Sequence, residues 1–350
     1  MKLKIIALTP VHIGNGEVLS PYGDYIKSGD YIYILDYTRL EEFIRDAENS
    51  NKIIDEFVEI INKQASSNKS VRYTIKDFFI NNDLKVENFS SVKVKIIGKV
   101  NNEEISQTLK TTNRPIIPGS TIKGAIRTAL LYNHLKEDGY KLNKMKKGYI
   151  GGDIFGKYGD DKMKYLHVSD SSPLDPESVV ILNTHRWNLK NKKTTIPITR
   201  EAINSGNEMS IHINLKAKKI NSRLNYLKES NENMIFKMVN QYSRDNLKKE
   251  IDILKSNNKG KLDNLISIYN DIFNEIEKSE KSADTMIFRV GAGKTYFDNT
   301  VANLFSDKDL KEVREEAELG DGSPFPVTRT MVTDGSQVLN ALGWIKLTRV

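Results

Sequence analysis

The segment Arg114-Pro115-Ile116-Ile117-Pro118-Gly119-Ser120-Thr121-Ile122-Lys123-Gly124-Ala125-Ile126-Arg127 gathers three cations, two hydroxyls and two glycines around the start of one element. Its two prolines impose an extended approach. Gly119 permits a turn, and Ser120 is a good N-cap for a helix that follows. Ile122, Ala125, Ile126, Ala129 and Leu130 recur at helical spacing, while Lys123 and Arg127, four apart, share another face. The first turn of a helix offers free N–H groups and the positive end of the dipole, so Lys123 opposes the helix's own field. An anion such as a phosphate would relieve that conflict. Gly124 inside the helix costs on the order of 1 kcal/mol relative to alanine, which makes sense if another backbone, such as RNA, comes close. The bland alternative is a capped helix with two surface cations.

Charge is concentrated around this segment. Residues 91–150 hold 12 Lys/Arg against 4 Asp/Glu, so they carry the whole of the chain's net charge of +7, and the remainder is close to neutral. A localised basic stripe is the footprint of a polyanion binder, although a lysine-rich solvated surface would look the same. With no cysteine in 350 residues, disulfides, thiolate catalysis and cysteine-based metal centres are excluded, which fits a cytoplasmic location. The five histidines at 12, 134, 167, 185 and 212 form no HExxH or HxH pair, so neither a metal site nor a cofactor is expected. No apolar stretch approaches the roughly 20 residues needed to cross a bilayer. The opening Met1–Leu8 could pass for a short signal peptide; with Thr9-Pro10-Val11-His12-Ile13-Gly14 directly after it and no small-residue cleavage site, it reads as a strand.

The elements that must position these residues follow from periodicity. Lys2–Leu8 reads as a strand, and Asp24–Ile26 with Tyr31–Leu35 as a hairpin around Lys27-Ser28-Gly29-Asp30. Asp36 or Thr38 caps a helix bearing Leu40, Phe43, Ile44 and Ala47; a second helix runs through Ile53, Ile54, Phe57, Val58 and Ile61 to a loop at 65–70. Val92–Ile97 reads as a strand, Asn101-Asn102 as a turn, and Val179–Asn183 and Glu208–Leu215 as strands, the last with strict alternation. From 216 to 282 proline is absent and Gly260 is the single glycine, so helices are expected, broken at Asn257–Gly260. Strands return at Thr285–Val290 and Gly343–Leu347. The class is α+β, with a domain boundary near 216: residues 1–215, then a smaller unit 216–350 containing the helical region 216–282.

Pro118-Gly119-Ser120-Thr121-Ile122-Lys123-Gly124-Ala125-Ile126-Arg127 resembles the signature of the RAMP superfamily of CRISPR-associated proteins. Thr9–Gly16 is similar to that family's first strand and glycine turn, and Ile154-Phe155-Gly156 with Leu166–Ser171 to its next landmark. Leu19–Ile26, Pro197-Ile198-Thr199-Arg200-Glu201 and the ending Pro326-Val327-Thr328-Arg329 … Leu342–Leu347 most resemble the subunits that cap the crRNA 3′ end in type III-A (Csm) effectors. The resemblance implies two ferredoxin-like, RRM-type domains with a helical insertion. It also implies binding near the crRNA 3′ end in antiviral defence, stacking on the repeating backbone subunit, other Csm subunits as partners, and 3′-end maturation with host ribonucleases trimming. His12, Arg114, Ser120, Lys123, Arg127, Arg200, Arg289, Lys294 and Arg329 are the expected RNA contacts.

Several motifs keep competing readings. Gly291-Ala292-Gly293-Lys294-Thr295 invites a phosphate-loop reading, but the Walker pattern needs glycine where Phe288 stands. Arg289 and Lys294 then either meet phosphates or flank glycines that merely turn the chain. His12 beside Gly14 and Gly16 could serve as general acid or base, as a histidine does in crRNA-processing relatives, or could be structural. Asp24 lies where the backbone subunit of such complexes carries a metal-binding acid, yet a lone carboxylate is a poor Mg²⁺ site. No catalytic residue is therefore assigned, and the alternative is a metal-dependent or acid–base endoribonuclease. The clustered Tyr22, Tyr25, Tyr31 and Tyr33 lack the usual base-stacking pattern, and hairpin packing is expected for Tyr31 and Tyr33.

Overall fold

The computed structural model describes residues 1–66, 75–101, 103–139, 151–157, 159–194, 196–258, 260–320, 322–335 and 337–350. Parts of the expected loop at 65–70, the turn at Asn101-Asn102 and the break at Asn257–Gly260 lie outside these residues, as does the basic stretch 140–150.

Strand Lys2–Ala7 occupies the middle of a five-stranded sheet whose spatial order is 285–289, 344–349, 2–7, 208–215, 166–168, antiparallel throughout. Alternation makes one face apolar: Leu3, Ile5 and Ala7 with Met209, Ile211, Ile213, Ile345 and Leu347. Helices Gly119–Glu137 and Glu232–Asn257 lie side by side on that face through Ile122, Ile126, Ala129, Leu130, Ile235, Phe236 and Val239. Taken along the chain, strand 2–7, helix 119–137, strands 166–168 and 208–215, helix 232–257 and strand 344–349 form a β-α-β-β-α-β unit. Its fourth strand lies beside its first and its third between first and second, which is the ferredoxin-like arrangement. Strand Thr285–Arg289 extends the sheet at one edge.

The second sheet runs 14–19, 105–108, 198–203, 179–188, 90–97, 31–35, 25–28, with strand Thr328–Asp334 pairing the outer half of Val179–Asn188. Val179–Asn188 is buried almost throughout, because it has a neighbour on each edge and cover on both faces. Helices Tyr37–Asp46, Ser50–Ser66 and Ile75–Asn81 form a satellite lobe held by edge-to-face contacts among Phe43, Phe57, Phe78, Phe79 and Phe89.

The class is α+β, and the two curled sheets accord with two RRM-like units. Both sheets, however, draw strands from each side of residue 216: 344–349 pairs with 2–7, and 328–334 with 179–188. The composition change at 216 marks the start of helices, one of which, Glu232–Asn257, is the second crossover helix of the ferredoxin-like unit. Composition registers local conformation; it does not register which distant strands pair.

Candidate nucleic-acid interface

The helix at 119–137 begins two residues earlier than the capping pattern implies. Pro118 occupies the cap position, and Ser120 stands exposed in the first turn. The Gly119 N–H donates to Asp170 Oδ1 at 2.8 Å, so a carboxylate from the neighbouring strand end already satisfies that group. Gly119 is needed for closeness and not for a turn: a Cβ there would lie 2.3 Å from the Val168 carbonyl oxygen and 2.5 Å from that of Ser169. Gly124, by contrast, is exposed and has nothing within 4 Å of where a Cβ would stand.

The tight seat of Gly119 against the edge strand Leu166–Val168 creates a cleft of about 470 Å³. Gly119, Ser120 and Lys123 form one wall, Lys164, His167 and Ser169 a second, and His212, Asn214 and Lys216 a third. Alternation on strand 208–215 turns His212 and Asn214 outward while Ile211, Ile213 and Leu215 enter the core. Asn214 pairs with His167 across the strands, which brings histidines 45 positions apart to one rim. Lys164 is shared with Asp160 at 3.1 Å and stays half exposed. Three lysines, two imidazoles, two hydroxyls and an amide, with no aromatic platform, are donors for phosphate oxygens and not for base stacking. Of these residues only Ser120 and Lys123 were expected from the sequence to contact RNA. The signal for His212, Asn214 and Lys216 was the polar half of an alternating strand, which became informative only once its neighbour was known.

The other expected contacts divide. Arg127 turns from Lys123 toward Asp161 at 3.5 Å and lies over the Phe155 ring at 4.9 Å. Arg114 donates to the Leu174 carbonyl at 3.0 Å and pairs with Asp175 at 3.0 Å, tethering that loop. Arg289 and Arg329 are enclosed, with 5% and 2% of their surfaces exposed. Arg289 pairs with Asp298 at 3.0 Å, between the rings of Tyr269 and Trp344; Arg329 is ion-paired with Glu250. Their guanidiniums face protein, so the expectation that they touch phosphates is corrected: the basic residues in those motifs neutralise buried acids of the fold.

His12, Arg200 and the loop Gly291–Lys294 form a second neighbourhood. The His12 carbonyl accepts from the Ala292 N–H, and a Cβ on Gly291 would lie 2.2 Å from that carbonyl oxygen. A Cβ on Gly293 would lie 1.9 Å from the Leu342 carbonyl oxygen, so these glycines serve chain packing. Lys294 is half-buried, and burial lowers its pKa, with Arg289 adding to the effect and Asp298 opposing it. His12 is itself buried; its Nδ1–H donates to the Glu201 carbonyl at 2.7 Å. Burial holds its pKa down at about 4, the Glu201 hydrogen bond opposing and Arg200 assisting. A buried neutral imidazole at ordinary pH is poorly placed to exchange protons with RNA.

Asp24 closes its own turn: Oδ2 accepts from the Ser20 N–H at 2.7 Å. Among the described residues no group of three His, Asp or Glu side chains is arranged to hold a metal. Tyr33 is buried and Tyr31 lies beside it at 6.5 Å, with Lys93 3.9 Å above the Tyr31 ring. The Tyr25 hydroxyl donates to the Glu103 carbonyl, which leaves Tyr22 as the exposed member of the group. No described helix is long and apolar enough to cross a membrane.

The model of the RAMP superfamily matches residues 4–297. A Methanocaldococcus jannaschii protein described as "CRISPR system Cms protein Csm5" is 27% identical over 396 aligned residues, covering 100% of this chain and 89% of that protein. A Streptococcus thermophilus protein of the same description is 26% identical over 221 residues, 58% of this chain and 60% of that one. Among solved structures, a chain of a Csm–crRNA–target RNA ternary complex of a type III-A system aligns with a TM-score of 0.71 at 22% identity, over 99% of this chain and 100% of that one. Csm5 of T. onnurineus aligns with a TM-score of 0.66 at 22% identity over 98% and 99%. At that identity the structures establish a shared fold.

Proposed function

Because this chain belongs to the RAMP superfamily, we propose that it is the crRNA-binding subunit at the 3′ end of a type III-A CRISPR effector, an architectural component of antiviral defence. It holds the crRNA 3′ region, stacks on the repeating backbone subunit with other Csm subunits, and leaves 3′ trimming to host ribonucleases. The observation that carries this reading is correspondence over the whole chain, in sequence to a relative described as Csm5 and in fold to a chain of a Csm–crRNA complex.

The chemistry of the surface supports it. The cleft at the start of helix 119–137 presents Lys123, Lys164 and Lys216 with Ser120, His167, His212 and Asn214, donors that suit a phosphate backbone of any sequence. Gly124 lies open beside it, where a ribose–phosphate chain can approach the helix backbone. Arg200 and Lys294 make a further basic region, and Arg114 and Arg127 contribute field at the margin. Catalysis is not part of the proposal: the Asp24 carboxylate is engaged by its own turn, and His12 is buried.

Purification of the tagged chain from its host, with sequencing of bound RNA and identification of bound proteins, tests the reading. Recovery of crRNA together with the backbone subunit is the expected result. Recovery of neither crRNA nor effector subunits overturns it. Incubation with labelled crRNA, with and without Mg²⁺, should leave the RNA intact; metal-stimulated cleavage abolished by Asp24→Ala would establish the ribonuclease alternative.

A further inference from the structure

Each of the three walls of the cleft contributes one lysine, Lys123, Lys164 and Lys216, and no carboxylate lines it. Among the described residues no carboxylate pairs with Lys123 or Lys216, while Lys164 shares Asp160 with Lys162. The frame beneath these cations is fixed. The Ser169 hydroxyl accepts from the His212 N–H at 3.1 Å and donates to the Asp170 carbonyl at 2.8 Å, and the Asp170 side chain holds the Gly119 N–H. The charge changes past Asn214 and Lys216. Those two residues also line an adjoining hollow of about 470 Å³, together with Lys218, Glu229 and Glu232. Glu229 is exposed and Glu232 half-buried. A strand running on past Lys216 would carry its next phosphates toward these carboxylates, against like charge.

These two features separate an RNA end from an RNA interior. An internal phosphodiester brings a single negative charge and two free oxygens, and its chain needs an exit on each side. A terminal phosphomonoester brings about −1.5 to −2 charges at pH 7 and three free oxygens, and its chain needs one exit. Ammoniums are point charges with rotatable donors, so lysines arriving from three walls suit three oxygens around one phosphorus. We propose that the cleft is a seat for the terminal phosphomonoester of an RNA strand, its oxygens shared among Lys123, Lys164 and Lys216. The inference rests on the RNA-binding reading above and names the part of the strand that this site takes. The strand leaves on the side of the open Gly124 and not on that of Glu229.

The test uses the full-length chain and one unstructured RNA sequence, prepared with a 3′-phosphate, with a 5′-phosphate, or with hydroxyls at both ends. One phosphorylated form is expected to bind on the order of tenfold tighter than the hydroxyl form, the gain from charge-assisted hydrogen bonds to the added group. Which form gains identifies the end. Lys123→Gln and Lys216→Gln should each bring that ratio down toward one, whereas Lys308→Gln, which removes an exposed lysine outside the cleft, should keep it. If the wild type binds all three RNAs alike and Lys123→Gln weakens them equally, the cleft holds an internal diester. The proposal is then refuted while the RNA-binding reading stands. If the wild type prefers a phosphorylated end but both cleft variants keep the full ratio, the end is held elsewhere and the proposal also falls. Failure of all three RNAs to bind removes the RNA-binding reading itself, and the proposal with it.

Discussion

His12 provides a sharp quantitative test, because burial and chemistry assign it opposite behaviours. Its Nδ1–H is committed to the Glu201 carbonyl at 2.7 Å, and its Nε2 is packed near Gly14, where a Cβ would lie 3.3 Å away. Protonation must therefore place a charge in the interior, beside Arg200, and the pKa falls from 6.5 to about 4. The native state then binds fewer protons than the unfolded chain between those values, so stability is complete above the unfolded pKa and declines as pH falls. At 1.36 kcal/mol per pH unit the full loss is about 3 kcal/mol, reached below pH 4, and about 2 kcal/mol of it has occurred by pH 5. His134 and His185 are also lowered, chiefly by burial, and steepen the same slope, so the difference between variants is what counts. His12→Asn keeps a donor where Nδ1–H stands and removes the titration. Urea denaturation between about pH 7.5 and pH 5 should show the variant less stable at the upper end, with the gap narrowing by about 2 kcal/mol at the lower. Parallel pH profiles would refute the buried-neutral account and reopen acid–base chemistry at this residue.

Gly119→Ala should cost on the order of 2 kcal/mol or more, since its Cβ meets a carbonyl oxygen at 2.3 Å; a loss under about 0.5 kcal/mol in denaturant titration counts against the close packing. Gly124→Ala should do the reverse, stabilising by about 0.5–1 kcal/mol while weakening RNA binding; equal or tighter RNA binding would show that no backbone approaches there. Gln in place of Lys123, Lys164 or Lys216 should each lower the salt dependence of RNA affinity by about one, and Arg127→Gln by less because Asp161 already holds that side chain. Arg329→Met leaves Glu250 charged and alone in the interior and should cost about 3–5 kcal/mol, much of it recovered by adding Glu250→Gln; no recovery in the double variant would mean that packing, and not charge, dominates.

The parts legible in the sequence were those set by local rules. The strand alternation of Glu208–Leu215, the Asp36 cap, the hairpin at Tyr25–Leu35 and the apolar stripe Ile122–Leu130 all lie where periodicity puts them. The helix start shifted because Asp170, 51 residues away, supplies the carboxylate that Ser120 was expected to mimic. The strand Gly14–Leu19 carried no signal, because an exposed edge strand that bulges between Gly14 and Val18 has no apolar face to repeat. Most of the cleft was out of reach for a similar reason. His167, His212, Asn214 and Lys216 look like ordinary outward residues until strands 166–168 and 208–215 are paired.

The arginines show why a count of charge does not locate a binding surface. Motif position alone ranked Arg114, Arg127, Arg200, Arg289 and Arg329 together, yet an arginine is available to phosphate only if the fold has not already given it an anion. Asp175, Asp161, Asp298 and Glu250 have claimed four of the five. Burial sharpens the point in both directions. For Arg289 and Arg329 it comes with a carboxylate, and the pair becomes part of the core; for Arg200 it comes with the Thr184 hydroxyl, which accepts from its Nε at 2.9 Å. In the cleft the imbalance is of another kind, with Lys123 held at the positive end of a helix by a glycine that cannot be enlarged without separating the helix from its strand. The cleft thus combines a close backbone approach that fixes geometry with a lysine that no carboxylate pairs with among the described residues, a combination that an RNA backbone is suited to complete.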